Sequence, residues 1–339
     1  MSAFEVLRTG MVTGVGLSAP AACAAIRAGI SAFEETRFMF DGEWLLGCEV
    51  PLEGSWRGRE KLLRMVVPAL EECMAGLGRT APRDVPLFVA VAEEERPGRL
   101  ARLDDTLIAD IEERLGVRFH AWSRVFANGR IGGVQALDYA RRVMAERVPL
   151  CLVAGVDSLL VSASLDAYYR QHRLLTAENS DGFIPGEGAA VALIGPIGSG
   201  GALRCTGVGY GFEPAPRGSG QPTRADGMVH AFRTALADAS WELGRADYRI
   251  ADLSGEQYGF KEAALAMTRV LRQRKEAFYI WHPADCVGET GAAAPLMLLA
   301  VACAAAEKQY APGPRAIAHV AGDGAERAAF LVEAVGEAA

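Results

Sequence analysis

The sequence is poor in histidine, with five among 339 residues, and none of its seven cysteines falls in a CxxC pair. No cluster of His, Cys, Asp and Glu has the spacing of metal ligands, so neither a metal nor any other cofactor is expected. The cysteines (Cys23, Cys48, Cys73, Cys151, Cys205, Cys286 and Cys303) are odd in number and lie mostly among apolar neighbours. That pattern fits reduced, packed thiols in a cytoplasmic protein rather than a disulfide framework. Only Cys286, beside Asp285 and close to Gly288, stands where a loop could expose it.

A basic excess is missing too: 35 Lys and Arg against 42 Asp and Glu leave a formal charge of −7. Without a basic stripe, neither nucleic acid nor an anionic membrane is an expected partner. There is no low-complexity tract and no block of like charge, which argues against disorder. Long apolar runs are absent as well. Met11–Ala25 is broken by Gly14, Gly16 and Pro20, and its Ala21-Ala22-Cys23 lacks the preceding Leu-rich stretch of a lipoprotein signal. Thr290–Ala306 carries no charge but contains Pro295 and falls short of the ~20 residues a bilayer needs. It reads as a helix buried inside a large protein.

What remains is a globular composition, half apolar and 23% charged. Short β-branched runs alternate with longer helical patterns, which predicts an α/β protein with largely parallel sheets. Strands are expected over Thr9–Val15, Leu87–Val91, Leu150–Ala154 and Ala189–Ile194, with helices over Ala21–Ala28, Lys61–Leu77, Asp104–Leu115 and Gly133–Ala145. After the Gly195–Gly201 linker the order restarts, with strands at Leu203–Tyr210, Arg249–Ser254, Phe278–Trp281, Ala316–Val320 and Ala328–Val335. Helices are expected there over Met228–Leu243, Lys261–Arg272 and Ala292–Ala306. The layout suggests two duplicated halves, 1–197 and 198–339. Gly14-Val15-Gly16 and the Gly207–Gly211 run lack the full dinucleotide fingerprint and read as tight turns.

Three motifs then stand out in order. Asp181-Gly182-Phe183-Ile184-Pro185-Gly186-Glu187-Gly188-Ala189-Ala190 closely resembles the DGFVPGEGAA loop of the β-ketoacyl-acyl carrier protein synthases. Leu152–Ser158 resembles that family's strand and turn ending AGG(T/V)(E/D), and Val12–Pro20 its opening VTGLGxxSP. The resemblance implies the thiolase fold, two α/β halves in an α-β-α-β-α stack of five layers. It also implies acyltransferase chemistry, in bacterial fatty acid or polyketide biosynthesis.

That chemistry needs a cysteine at the N-terminus of a central helix, where the dipole favours a thiolate and backbone N–H groups form an oxyanion hole. Two imidazoles, or a His and an Asn, face it. A gapless count back from Ala154-Gly155 puts the nucleophile position at Arg130. The first imidazole position falls at or near Glu256, in Ser254–Tyr258, where the family has NAHGT. The loop Gly288–Ala293, similar to GNTSAA, puts Glu289 at the second, and the lysine of some members falls at Ala284. The family's glycine-rich gating loop corresponds to Gly322–Arg327.

An arginine stays protonated and cannot be acylated. Its charge also sits badly at a helix N-terminus, so a compensating anion is expected. Arg130 should be held by Glu256, Glu289 or both, in an ion-paired plug. His282, Asp285 and Cys286 share one loop and form a minor alternative nucleophilic site. His120, His172, His230 and His319 have no obvious partner.

These replacements point to a loss of condensation: a pseudoenzyme acting as a chain-length-factor-like or secretion-accessory-like partner subunit. The alternatives are a residual 3-oxoacyl synthase, or an acyl hydrolase or decarboxylase using Glu256 and Glu289. The resemblance implies a dimer through edge-strand pairing beside the first central helix. The partner is a second copy, another thiolase-like chain or another protein, and an acyl carrier protein is a further candidate.

Overall fold

The computed structural model describes residues 3–146 and 148–336. The first half runs β1 (Phe4–Thr13), α1 (Ala19–Arg27), β2 (Glu34–Phe40), β3 (Glu43–Gly47), α2 (Gly58–Met74), β4 (Leu87–Ala90), α3 (Leu103–Leu115) and β5 (Arg124–Phe126). It continues through α4 (Gly129–Ala145), β6 (Cys151–Ser158), α5 (Ser162–Arg170) and β7 (Glu187–Pro196). The second half runs β8 (Leu203–Phe212), α6 (Asp226–Ala239), β9 (Tyr248–Ala251), α7 (Gln257–Val270) and β10 (Ile280–Trp281). It ends with α8 (Ala284–Val287), α9 (Ala294–Glu307), β11 (Arg315–Ala321) and β12 (Glu326–Ala334).

The strand order is β10-β9-β11-β12-β8-β1-β7-β6-β4-β5, with the hairpin β2–β3 apart. Each half contributes five neighbouring strands in the same internal order, and they meet where Phe4–Val6 pairs with Leu203–Cys205. The duplication expected from element order is thus visible in the topology. The expectation of largely parallel sheets is corrected. β1, β7 and β6 pair antiparallel, as do β8, β12 and β11, and only the outer strands run parallel. β11 and β12 are joined by a short hairpin, and the connection from β6 through α5 and the Asp181–Gly186 loop returns β7 antiparallel beside β6.

Helices α4 and α9 lie between the two half-sheets and share one apolar core with both. α9 is buried from Ala294 to Ala305, as a helix apolar on all sides must be, and Pro295 sits in its first turn where no N–H is needed. Small residues let the pair approach: a Cβ on Gly133 would lie 2.9 Å from Pro295 Cγ. The outer faces are covered by α2 and α3 on one side and by α6 and α7 on the other. The result is five layers with the N-termini of both central helices at one buried junction. Among the described residues no helix is long and apolar enough to cross a membrane.

Candidate functional site

Asn128 ends the approach to α4 and Gly129, at φ +50°, turns the chain into the helix, so Arg130 occupies its first turn. The guanidinium is nearly buried, with 10% of the side chain exposed. Its Nη1 donates to Glu289 Oε2 at 3.0 Å and reaches Asp252 Oδ2 at 3.5 Å, while Nη2 donates to Asp323 Oδ1 at 2.5 Å. Burial opposes the charge, and Glu289, Asp323 and Asp252 outweigh it, holding the arginine pKa well above its ordinary value. Three carboxylates thus compensate both the burial and the unfavourable helix dipole.

Glu289 is positioned by the family-like loop. Its N–H donates to Ile184 O at 2.8 Å, and its carbonyl accepts from Gly186 N at 2.8 Å, a parallel bridge to Pro185. This approach explains Gly186, where a Cβ would come 2.2 Å from Val287 O. The remaining Glu289 oxygen accepts from Gly291 N at 3.0 Å. Burial raises its pKa despite Arg130. Elsewhere in the loop, Glu187 is fully buried, bonded to Lys61 at 2.7 Å, to the Ser158 hydroxyl at 2.7 Å and to Val50 N at 2.9 Å. Phe183 packs edge-on against Tyr168 at 5.1 Å. Gly182 and Pro185 lie in the turn into β7, and Gly188 is the second residue of that strand.

Glu256 lies elsewhere. It opens α7 and binds Arg173 through two hydrogen bonds of 3.0 and 2.9 Å, with Arg217 as a further partner. The carboxylate beside Arg130 on that side is Asp252, four residues earlier, because β9 ends at Ala251 rather than at Ser254. Burial pushes Asp252 up to about 7, against the pull of Arg130, and its Oδ2 accepts from Ala321 N at 2.9 Å.

Asp323 links the two clusters. It sits in the β11–β12 hairpin, takes Arg130 and Arg173 (3.1 Å) on one oxygen, and accepts from the Tyr168 hydroxyl at 2.7 Å on the other. Burial would raise its pKa, but Arg173 and Arg130 prevail and hold it well below the carboxylate range. Asp323 lay within the loop singled out above, whereas Arg173 was missed because nothing in its local pattern marks it as buried. On the far side Asp157 receives Arg96 Nη1 on both oxygens at 2.8 Å and fixes Ala292 N at 2.8 Å.

A cleft of about 560 Å³, walled by Tyr168, Arg173, Asp323, Glu326 and the Glu93–Pro97 loop, opens above this network. Behind it, the space beside Asp252 and Glu289 is about 10 Å³. That is no larger than one water needs.

The His282 loop is not assembled as a triad. The Cys286 thiol is buried and faces Ile26 O, and burial with nearby Asp285 raises its pKa. His282 Nδ1 instead lies 2.7 Å from Asp285. Ala284 begins α8.

No family model matches the chain. Over 142 residues it is 32% identical to the actinorhodin polyketide beta-ketoacyl synthase 2 of Streptomyces coelicolor. That stretch covers 37% of this chain and 34% of the relative, about a third of its length. Among solved structures, the ishigamide ketosynthase/chain length factor superposes with a TM-score of 0.79 at 17% identity, over 99% of this chain and 100% of that one. A ketosynthase in complex with its chain length factor from Xenorhabdus doucetiae gives 0.77 at 11% identity, over 98% of each chain. A beta-ketoacyl synthase from Burkholderia phymatum gives 0.77 at 17% identity, over 99% of this chain and 100% of that one. At such identities the superpositions speak for the fold.

Proposed function

We propose, from the fold and the partial likeness to a β-ketoacyl synthase, that the chain is a ketosynthase-like subunit that does not condense acyl chains and serves a protein partner. One observation carries the reading. The residue at the head of the first central helix, where condensation needs a thiolate, is Arg130, tied to Glu289, Asp252 and Asp323. The neutralised network leaves no nucleophile, and the 10 Å³ behind it leaves no room for an acyl group.

A ketosynthase is the partner favoured, as in the solved ketosynthase–chain length factor pairs, with any acyl carrier protein served by that second subunit. Support comes from β5, an edge strand beside α4 whose outer side pairs with no strand among the described residues. The seven buried, free cysteines accord with a cytoplasmic setting. Acyl hydrolysis or decarboxylation by Glu256 and Glu289 is less favoured, since the two carboxylates are committed to different arginines.

The test is co-expression with the ketosynthase encoded nearest its gene. The expected result is a stable one-to-one complex whose condensing activity needs both chains. A covalent acyl adduct on this chain alone, detected by mass spectrometry after incubation with an acyl donor, would overturn the reading.

A further inference from the structure

A second cavity lies between α2, α3 and the start of α5, on the other side of Arg96 from the Arg130 cleft. Its volume is about 240 Å³, and it shares only Arg96 and Ser164 with the cleft. The walls are mostly apolar, built from Phe38, Leu62, Leu100, Leu103, Leu160 and Val161. The charged groups are one-sided: Arg37, Arg57, Lys61, Arg96 and Arg99 against the single carboxylate of Asp157.

The buried members of this set are already committed. Asp157 is held by Arg96, Lys61 by Glu49 and Glu187, and Arg99 by Asp104 and the Ala92 carbonyl. Arg57 differs. It is exposed just ahead of α2, and among the described residues no carboxylate pairs with it. Arg37, pairing with Glu49 through Nη1, keeps its other donors. The cavity therefore joins an apolar interior to a rim where unspent guanidinium donors outnumber acceptors.

We infer that this cavity binds a small anionic amphiphile, a monocarboxylate with an apolar tail, its head on Arg57 and Arg37 and its tail among the leucines. An apolar cavity of ~150 Å³ holds benzene, so this one takes a chain or ring of roughly eight carbons. Guanidinium forks suit a carboxylate better than a neutral head, and an amine would be repelled. The inference does not depend on the partner-subunit reading, since it needs neither Arg130 nor a second chain.

Isothermal titration of the full chain with octanoate, octanol and octylamine tests it. The expected result is saturable octanoate binding at one site, at least tenfold tighter than octylamine, with a rise in melting temperature. Arg57→Gln, at an exposed position, should weaken octanoate severalfold and leave octanol unchanged, a split that a purely structural role would not produce. Leu100→Trp, which fills the interior, should abolish binding of both. No saturable octanoate binding, equal binding of octylamine, or octanoate binding unaffected by both variants would overturn the assignment.

Discussion

Arg130 in the first turn of α4 and Asp323 in the hairpin between β11 and β12 meet at 2.5 Å, although 193 positions separate them. Asp323 is also held by Arg173 and Tyr168, so the hairpin is fastened over the head of the helix from three directions. Removing the cation leaves Glu289 and Asp252 buried without a counter-charge. Arg130→Met should therefore cost about 3–5 kcal/mol in chemical denaturation, the usual penalty for breaking a buried pair from one side. Adding Glu289→Gln and Asp323→Asn should recover part of that loss. A single variant as stable as the parent would show that the network is not held by charge.

Asp252 carries a pH signature. Its folded pKa of about 7 lies above the ordinary 3.8, so folding favours the protonated form. The associated stability is complete below about 3.8 and is lost as pH rises through about 7. Asp252→Asn mimics the protonated group and can still accept from Ala321 N. The variant's advantage over the parent in melting temperature should grow steadily between pH 4 and pH 8.5. A constant difference across that range would rule out titration of Asp252.

Much of this site was readable before the structure, for uneven reasons. Arg130 followed from an uninterrupted count between two small-residue motifs, and Glu289 from a loop whose spacing the Pro185 bridge constrains. Asp252 was not reached, because β9 stops five residues before Glu256 and nothing local separates the strand end from the loop. The hairpin β2–β3 escaped for a different reason. Met39, Trp44 and Leu46 are exposed, so its apolar residues do not mark a buried face. The antiparallel pairings arise from how the Asp181–Gly186 loop returns the chain, a long-range matter that alternating periods do not encode.

His319 offers a second titration, of opposite sign. It is 1% exposed on β11, lies 5.3 Å from Phe232 and, among the described residues, has no hydrogen bond to either ring nitrogen. Burial, with a smaller contribution from Arg249, lowers its pKa from 6.5 to about 3. The unfolded chain therefore takes up a proton that the folded chain refuses. Stability is full above pH 6.5 and falls as pH drops to about 3, by up to ~1.4 kcal/mol per unit. His319→Leu should remove that component, so its urea midpoint should decline less than the parent's between pH 6.5 and 4.5. Parallel declines would sink the assignment.

The edge strand β5 gives the sharpest test of partnership. Phe126 O accepts from Val91 N, so Phe126 faces inward along the sheet, and by alternation the N–H and C=O of Val125 point out. A proline at Val125 removes an outward donor without costing a bond within the sheet, and a ring there obstructs an incoming strand. Val125→Pro should leave the isolated chain folded, with a melting temperature within a few degrees of the parent. It should abolish the complex with the proposed ketosynthase partner on size-exclusion chromatography. Arg315, at the start of β11 and well away from β5, supplies the control: Arg315→Gln should weaken its pairing with Glu333 and leave the complex intact. If Val125→Pro still co-elutes with the partner, the chains meet through another face, and β5 is only a sheet edge.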